Sequence, residues 1–273
     1  MNFKPMHTLH KLLLLGIACL FMALPIDAEA ARSNKKGACM ALKNNPNWKT
    51  KLEALNVAWI YNWSTSIKPG TPSYVEFVPM QWGKWNVSKK HMDQLANGRH
   101  RALLGFNEPD QKNQANMTVE QAIELWPRLM YTGIRLGSPA GVHPDGPWMR
   151  QFMKEIDKRG YRVDFIAMHA YPGKDADSFI ERVDQIHKLY GRPIWITEFA
   201  VGDWEANANK KNRHSVDEVY EFMRKVIPAL ESRRHVERYA WFSSSPSNHN
   251  LGTSSLYKKD GTLNKLGLLY SSY

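Results

Sequence analysis

Apolar residues along the chain form short runs that alternate with longer segments, in which apolar positions recur every three or four residues. Continuously apolar short runs are typical of parallel strands buried on both faces, and the longer segments are typical of amphipathic helices. The pattern predicts strands at Gly37–Ala41, Ala58–Trp63, Tyr74–Trp82, Arg101–Asn107, Arg135–Ser138, Asp164–Tyr171, Ile194–Val201 and Arg238–Ser243. It predicts helices at Trp48–Leu55, Lys89–Ala96, Val119–Thr132, Trp148–Arg159, Asp177–Tyr190 and Val216–Glu231, with a last one from about Asn264.

Eight strands that alternate with helices predict the α/β class and, within it, a single (β/α)8 TIM barrel, a fold that needs about 250 residues. The alternative is an open doubly wound sheet, which usually carries a glycine-rich phosphate loop after its first strand. The chain of 273 residues contains neither G-x-G-x-x-G nor G-x-x-x-x-G-K-[ST]. No linker or repeat divides it, so one domain is expected.

The N-terminus has the pattern of a secretory signal. Lys4 and Lys11 precede an apolar run at Leu12–Leu24, and Ala28-Glu29-Ala30 provides a small-x-small cleavage site. The run is shorter than the roughly 20 residues of a membrane span, although an uncleaved anchor is the alternative. We expect a signal peptide at 1–30, a barrel domain at 31–273 and a secreted protein (extracellular, cell-wall or periplasmic, depending on source) without membrane attachment after cleavage.

Aromatic content and charge narrow the function. The chain has 10 Trp, 11 Tyr and 10 Phe, which is more aromatic surface than a core needs and suggests a cleft that stacks on flat ligand faces. The formal net charge is +11, but the basic residues are scattered in pairs and no nucleic-acid-binding motif accompanies them. They are interpreted as solvated surface, and no nucleic-acid partner is expected.

Two glutamates lie where barrel enzymes place their chemistry, at the C-terminal ends of strands. Glu108 ends the fourth predicted strand before Pro109, and Glu198 interrupts the apolar seventh strand. Singly, Glu108 is explained by a turn and Glu198 by a buried ion pair. Together they match the carboxylate pair that cleaves glycosidic bonds. Tryptophans lie at or just past other predicted strand ends, where each is either packing or a sugar platform: Trp63, Trp82, Trp85, Trp204 and Trp241.

Four segments resemble glycoside hydrolase family 128, a family of endo-β-1,3-glucanases with a (β/α)8 catalytic domain in the clan of retaining barrel glycosidases. Asn-Glu-Pro after a strand is moderately specific for this clan, and Thr-Glu-Phe 90 residues later makes the combination specific. The resemblance implies that Glu108 is the acid/base and Glu198 the nucleophile. The segments are Trp59-Ile-Tyr-Asn-Trp63, Gly105-Phe-Asn-Glu-Pro-Asp110, His169-Ala-Tyr171 and Ile196-Thr-Glu-Phe-Ala200.

The resemblance also implies further site residues. Asn107 would bond the sugar 2-hydroxyl, His169 and Tyr171 would lie near the nucleophile, and Trp241 would form the floor of a subsite. The remaining substrate-binding candidates are Asn62, Trp63, Trp82 and Trp204.

The function expected is a secreted, monomeric, retaining endo-hydrolase of β-1,3-glucan. The ten histidines include no H-E-x-x-H motif and no H-x-H pair, so neither metal nor cofactor is expected. The alternatives are a secreted β-glucan-binding or sensing protein without turnover, and a barrel glycosidase that acts on another β-linked polysaccharide.

Overall fold

The structure is a computed structural model that describes residues 1, 32–42, 45 and 47–273. The expected signal peptide, apart from Met1, lies outside the described residues and stays a prediction. No helix in the part that is described is long and apolar enough to cross a bilayer.

Eight short strands, all paired in parallel, form the centre of the unit at 32–273. They are β1 (Lys36–Cys39), β2 (Trp59–Tyr61), β3 (Glu76–Phe77), β4 (Ala102–Leu103), β5 (Arg135–Leu136), β6 (Ile166–Ala170), β7 (Ile194–Phe199) and β8 (Val236–Phe242).

Seven helices follow the strands and begin close to the predicted positions: α1 (Trp48–Ala54), α2 (Lys89–Asn97), α3 (Val119–Tyr131), α4 (Pro147–Arg159), α5 (Ala176–Tyr190), α6 (Val216–Ser232) and α7 (Lys265–Ser271). Local chemistry sets their ends. Ser88 and Ser215 cap α2 and α6 by accepting bonds from backbone N–H groups, and Gly191 ends α5 in the left-handed conformation at φ 63°.

The strands close into a ring. Six of them form a sheet in the order β3-β2-β1-β8-β7-β6, and β4 pairs with β5. Isolated parallel bridges join the two sheets, from Met80 to Leu104 on one side and from Gly137 to Phe165 on the other. The predicted α/β class and (β/α)8 barrel are thereby confirmed.

Several strands are shorter than predicted. The apolar segment Tyr74–Trp82 forms a regular strand only at Glu76–Phe77. Pro79 has no N–H to donate to the ladder, and beyond it the chain keeps only the single bridge from Met80. The freed backbone at this end of the barrel forms a loop, and Trp82 in this loop lines the candidate site.

The buried residues divide into two layers that follow the alternation of side chains along each strand. One cluster fills the barrel interior and takes residues from the strands and their ends alone, among them Tyr61, Leu104, Trp195 and Ala240. The larger cluster lies between strands and helices and includes their neighbours in sequence, such as Ile60, Ile196 and Trp241. A shift of one position along a strand therefore moves a side chain from one layer to the other.

Candidate active site

Glu198 lies on β7 at the top of the barrel interior, where it is 5% exposed and surrounded by hydrogen-bond donors. Tyr61 Oη and Trp63 Nε1 each donate to Glu198 Oε1 at 2.8 Å. Tyr171 Oη donates to Glu198 Oε2. An ionised carboxylate accepts hydrogen bonds and donates none, so this cage matches the charged form and offsets the cost of burying it.

The two phenols keep their protons because of where they lie. Burial, and after it the charge of Glu198, raise the pKa of Tyr61 and the pKa of Tyr171 well above the usual value for tyrosine. Both side chains therefore stay hydrogen-bond donors across the pH range in which a protein is folded. They orient the Glu198 carboxylate and do not compete with it for a proton.

Glu108 follows β4 on a strained backbone. Its φ of 42° lies in the left-handed region, which a residue with a side chain rarely adopts. The conformation is held from both sides, since Glu108 N donates to Ala140 O at 2.7 Å and Asn107 N donates to Trp82 O at 2.8 Å. This turn holds the Glu108 side chain at the cleft, where it is 14% exposed and thus more open than the side chain of Glu198.

His169, at the end of β6, joins the two glutamates. Its Nδ1 is 2.9 Å from Glu108 Oε1, and its Nε2 is 3.3 Å from Glu198 Oε1. Burial by itself disfavours the charged imidazolium, but the charge of Glu198 and the hydrogen bond to Glu108 outweigh burial. The pKa of His169 is therefore raised above its ordinary value. The ring is hydrogen-bonded to Glu108 through Nδ1, while Nε2 lies close to Glu198 without a hydrogen bond.

The carboxylates are close together. One side-chain oxygen of Glu108, one of Glu198 and a ring nitrogen of His169 all lie within 4.8 Å of one another. Three such ligands are the number that a catalytic zinc uses. Here, however, each ring nitrogen of His169 faces a different carboxylate, and a hydrogen bond on Nδ1 and the charge of Glu198 near Nε2 account for the arrangement. The expectation of no metal stays a prediction.

A cavity of about 480 Å³, the central cavity, opens above the two acids. Trp63, Trp82 and Phe242 line it together with the more exposed Trp204. Flat aromatic faces around a carboxylate pair are suited to the C–H faces of sugar rings. Asn107 lies in the wall with its Nδ2 donating to Gln114 Oε1 at 3.2 Å, while its buried Oδ1 has no partner within the described protein.

The central cavity continues in two directions. On the Glu108 side it shares Glu108, Gln114 and Trp204 with a cavity of about 730 Å³. On the other side it shares Ala41, Trp63 and Phe242 with a cavity of about 460 Å³. The acids therefore lie in the middle of a cleft that extends beyond them at both ends.

The structure brings most of the predicted site residues to this cleft. Glu108, Glu198, His169 and Tyr171 contact one another as described. The other predicted residues that line the cleft are Trp63, Trp82, Asn107 and Trp204. Asn62 does not line the central cavity, since its Nδ2 donates to Ser66 O within its own loop.

The structure corrects the prediction for Trp241. It was expected to form the floor of a subsite, but the indole is 1% exposed and packs in the layer between strands and helices. Its ring lies 5.0 Å from that of Phe199, and its Nε1 donates to Ser254 O at 2.8 Å. The next residue, Phe242, has the opposite orientation and lines the central cavity, whereas Trp241 is in the lining of the neighbouring 460 Å³ cavity only. The predicted residue lies one position before the aromatic residue that lines the central cavity.

Sequence reasoning missed Tyr61 and Gln114. Tyr61 ends β2 and lies two positions before Trp63, and both side chains donate to Glu198 Oε1. In the predicted strand Ala58–Trp63, the period of two would have put these two side chains on one face. Gln114 comes from the loop after Glu108, and nothing in the neighbouring sequence identifies it as a site residue. Only the hydrogen bond that it accepts from Asn107 in the structure does.

Tyr61→Phe is expected to lower kcat by about 10- to 100-fold and to leave KM within about a factor of two, because a hydrogen bond to a charged group contributes about 1.5–3 kcal/mol. The measurement is steady-state hydrolysis beside thermal unfolding. Tyr74→Phe, on an exposed side chain, is the matched control. An unchanged kcat would show that Tyr61 does not position Glu198.

The raised pKa of His169 makes its contribution to stability depend on pH. The contribution is complete below the unfolded value of about 6.5 and is lost as pH rises through the higher folded value. Urea unfolding at pH 6, 7.5 and 9 should therefore show a difference in the free energy of unfolding between wild type and His169→Gln. This difference should become smaller as the pH rises. Burial lowers the pKa of His100, so the corresponding difference for His100→Gln should widen with rising pH below about 6.5. The same trend in both variants would contradict the assignment.

Comparisons with known proteins give a consistent result. The sequence profile of the "Glycosyl hydrolase catalytic core" matches residues 37–270. The chain is 35% identical to an endo-β-1,3-glucanase of glycoside hydrolase family 128, subgroup I, from Amycolatopsis mediterranei; the match covers 88% of this chain and 99% of that one, with a TM-score of 0.77. Structures of that relative include laminaritriose and laminarihexaose complexes and variants in which either of two glutamates is replaced.

Two other relatives differ in described activity or in length. A curdlan-specific exo-β-1,3-glucanase of the same family from Blastomyces gilchristii is 29% identical, with a TM-score of 0.69, over 88% of this chain and 98% of that one. Alkali-sensitive linkage protein 1 of Schizosaccharomyces pombe is 29% identical over 250 residues, which are 88% of this chain. The chain spans 45% of the length of this curated relative.

Proposed function

The chain belongs to glycoside hydrolase family 128, within the glycosyl hydrolase catalytic core, and from this premise we propose that it is a retaining endo-hydrolase of β-1,3-glucan. The observation that carries the proposal is the pair of glutamates in the middle of an open aromatic cleft, with one carboxylate oxygen of each within 4.8 Å of the other. Inverting enzymes separate their carboxyl groups by about 6.5–9.5 Å to admit water, and retaining enzymes by about 5–5.5 Å. The short separation favours retention.

In the first step Glu198 attacks the anomeric carbon and forms a covalent glycosyl-enzyme, while Glu108 gives its proton to the departing glycosidic oxygen. In the second step Glu108 takes a proton from water, the water oxygen bonds to the anomeric carbon, and Glu198 leaves. The donors from Tyr61, Trp63 and Tyr171 aim the Glu198 carboxylate. Glu108, on its strained turn and in contact with more open space, is suited to exchange protons with leaving group and solvent.

His169 serves both steps. It lies between the acids and holds both in position, through one hydrogen bond to Glu108 and through proximity to Glu198. The attack neutralises the charge of Glu198, so the proton on His169 is then shared with Glu108 alone. This arrangement favours a Glu108 that returns to its basic form before the second step.

The shape of the cleft favours internal cleavage. Cavities extend on both sides of the acids, so a polymer can lie across them with sugars bound before and after the scissile bond. The family includes exo-acting members, such as the relative from Blastomyces gilchristii, and the open cleft is the feature that argues for endo action here. The substrate class follows from the laminari-oligosaccharides bound by the Amycolatopsis relative and from the aromatic lining.

Site residues beyond the acids are part of the proposal. Asn107, with its buried and unpartnered Oδ1, is assigned to the 2-hydroxyl of the sugar at the reaction centre. Trp82 and Trp204 are assigned as stacking platforms in the cleft walls. A monomer is proposed, and secretion is proposed on the signal pattern of residues 1–30.

The test is a time course of products from purified protein on laminarin, lichenan, cellulose and mannan, with the anomeric configuration of the first product followed by NMR. Endo action on β-1,3-glucan gives a ladder of laminari-oligosaccharides and a fast fall in polymer length. A single short product from the first minutes would mean exo action. Binding without any product would leave a glucan-binding protein, and an α-configured first product would overturn retention.

A further inference from the structure

Lysines line the end of the cleft that lies away from Glu108. The cavity of about 460 Å³ at this end includes Lys51, Lys258 and Lys259 in its lining. A neighbouring cavity of about 540 Å³ shares Lys258 and Lys259 and adds Lys210 and Lys211. We call these five side chains the lysine end of the cleft.

No aspartate or glutamate is among the residues that line these two cavities. Glu205 pairs with Lys210, and Asp260 is turned into its own loop, where its Oδ1 accepts bonds from Thr262. Lys211, Lys258 and Lys259 have no ion-pair partner in the described residues. Hydrogen bonds from Thr262 and, to a smaller extent, the charge of Lys258 lower the pKa of Asp260, so the positive charge of the lysine end is compensated only in part.

Polar neutral groups complete the lining. Four serines after β8, Ser243, Ser244, Ser245 and Ser247, line the 460 Å³ cavity, and Lys51 Nζ donates to Asn45 Oδ1 at 3.2 Å. The cavity on the Glu108 side is different, since its only Arg or Lys, Arg182, is paired with Asp145 at 2.6 Å. The two ends of the cleft thus differ in charge.

The lysine end lies on the side of the nucleophile. It meets the central cavity through Trp63, which donates to Glu198, and through Phe242. The acid/base of a retaining enzyme protonates the leaving group and therefore lies toward the departing part of the chain. Sugars at the lysine end consequently belong to the part of the polymer that becomes bonded to Glu198.

Resting on the proposed function, we propose that the lysine end binds sugars that carry an anionic substituent, a carboxylate or a phosphate, in the glucan segment held on the nucleophile side. An ammonium group gains more from an anionic oxygen than from a neutral hydroxyl. The net charge of +11 adds attraction for such a polymer at a distance.

The test compares hydrolysis of neutral laminarin with laminarin in which a fraction of primary hydroxyls is oxidised to carboxylates, and with laminarin phosphorylated to the same degree. Lys258→Gln/Lys259→Gln should lower kcat/KM on charged laminarin about 3- to 10-fold more than on neutral laminarin, as expected for two exposed ion pairs. The matched control, Lys90→Gln/Lys188→Gln, removes the same charge from exposed positions on α2 and α5. This control should leave unchanged the ratio of kcat/KM on carboxylated laminarin to kcat/KM on neutral laminarin, and likewise the ratio for phosphorylated laminarin.

The location adds an independent readout. Charged residues should be enriched within a few sugars of the new reducing ends, because the nucleophile side of the cleft holds them there. Addition of about 0.5 M NaCl should remove most of the preference. A loss on the carboxylated substrate alone, or on the phosphorylated substrate alone, would identify which anion the lysines take.

An equal effect of both lysine pairs would overturn the proposal and leave only a long-range effect of net charge. The proposal would also be overturned if Lys258→Gln/Lys259→Gln kept the wild-type ratio of kcat/KM on charged laminarin to kcat/KM on neutral laminarin. Enrichment of charged sugars at the new non-reducing ends would overturn it as well. If none of the three substrates is cleaved, the proposed function fails, whereas cleavage of all three at a ratio that the lysines do not influence defeats this inference alone.

Discussion

Glu198→Ala is expected to lose at least about 10⁴-fold in kcat on laminarin and on an activated aryl laminari-oligosaccharide alike, because no covalent intermediate forms without the nucleophile. Glu108→Ala is expected to fail on laminarin but to release a burst of phenol from the activated substrate, whose leaving group needs no proton. Azide should then restore turnover, because it attacks the intermediate without a base. The product should be a β-glycosyl azide of retained configuration.

The two acids are thus distinguished by substrate and by rescue. Glu124→Ala, on an exposed position of α3 without an ion pair among the described residues, is the matched control and should keep wild-type rates. The opposite pattern, with the β-azide formed by Glu198→Ala and an inert Glu108→Ala, would exchange the roles. The geometry argues against that exchange, because Glu198 is the caged carboxylate and Glu108 the more open one.

Trp241→Ala is expected to destabilise the fold by about 3–5 kcal/mol, because it removes a large side chain from the layer between β8 and the helices. The cavity left behind would lie beside Phe199 and Phe222, which the indole now contacts. The melting temperature should fall by roughly 10 °C for a domain of this size.

Trp204→Ala is the contrasting variant at a predicted sugar platform. The indole is 61% exposed and meets Tyr171 edge-on at 5.5 Å, so little core packing is lost. Its melting temperature should stay within about 2 °C of wild type. Its KM on laminarin should rise by about 3- to 10-fold, the equivalent of one lost stacking contact. Destabilisation of Trp204→Ala with an intact Trp241→Ala would contradict both assignments.

The order of elements could be predicted because its signals are local. Helix caps such as Ser88 and Ser215, and the continuously apolar β7, depend on a few neighbouring residues and appear directly in the sequence. The lengths of strands could not be predicted as well. Apolar residues continue past the end of β3, but regular pairing ends at Phe77 and only the bridge from Met80 to Leu104 follows Pro79, because pairing depends on a partner strand.

The position of the acids was also accessible. Glu108 before Pro109 and Glu198 within an apolar strand both depart from what burial allows, and such departures are where function is expected. Their partners were accessible in part: His169 and Tyr171 came through the family resemblance. Tyr61 did not, although it donates to Glu198 across 137 positions of sequence.

The sequence by itself determined the α/β barrel, its strand order and the two carboxylates at strand ends, because periodicity and a buried charge are properties of short segments. The tertiary structure decided which face each side chain presents and how far apart the acids lie. Trp241 and Phe242 are adjacent aromatic residues, and nothing in the sequence tells which of them faces the site. The register of β8 in the closed ring places Trp241 in the layer between strands and helices and Phe242 at the central cavity. The 4.8 Å limit on the acid pair likewise exists only once β4, β6 and β7 meet around one axis.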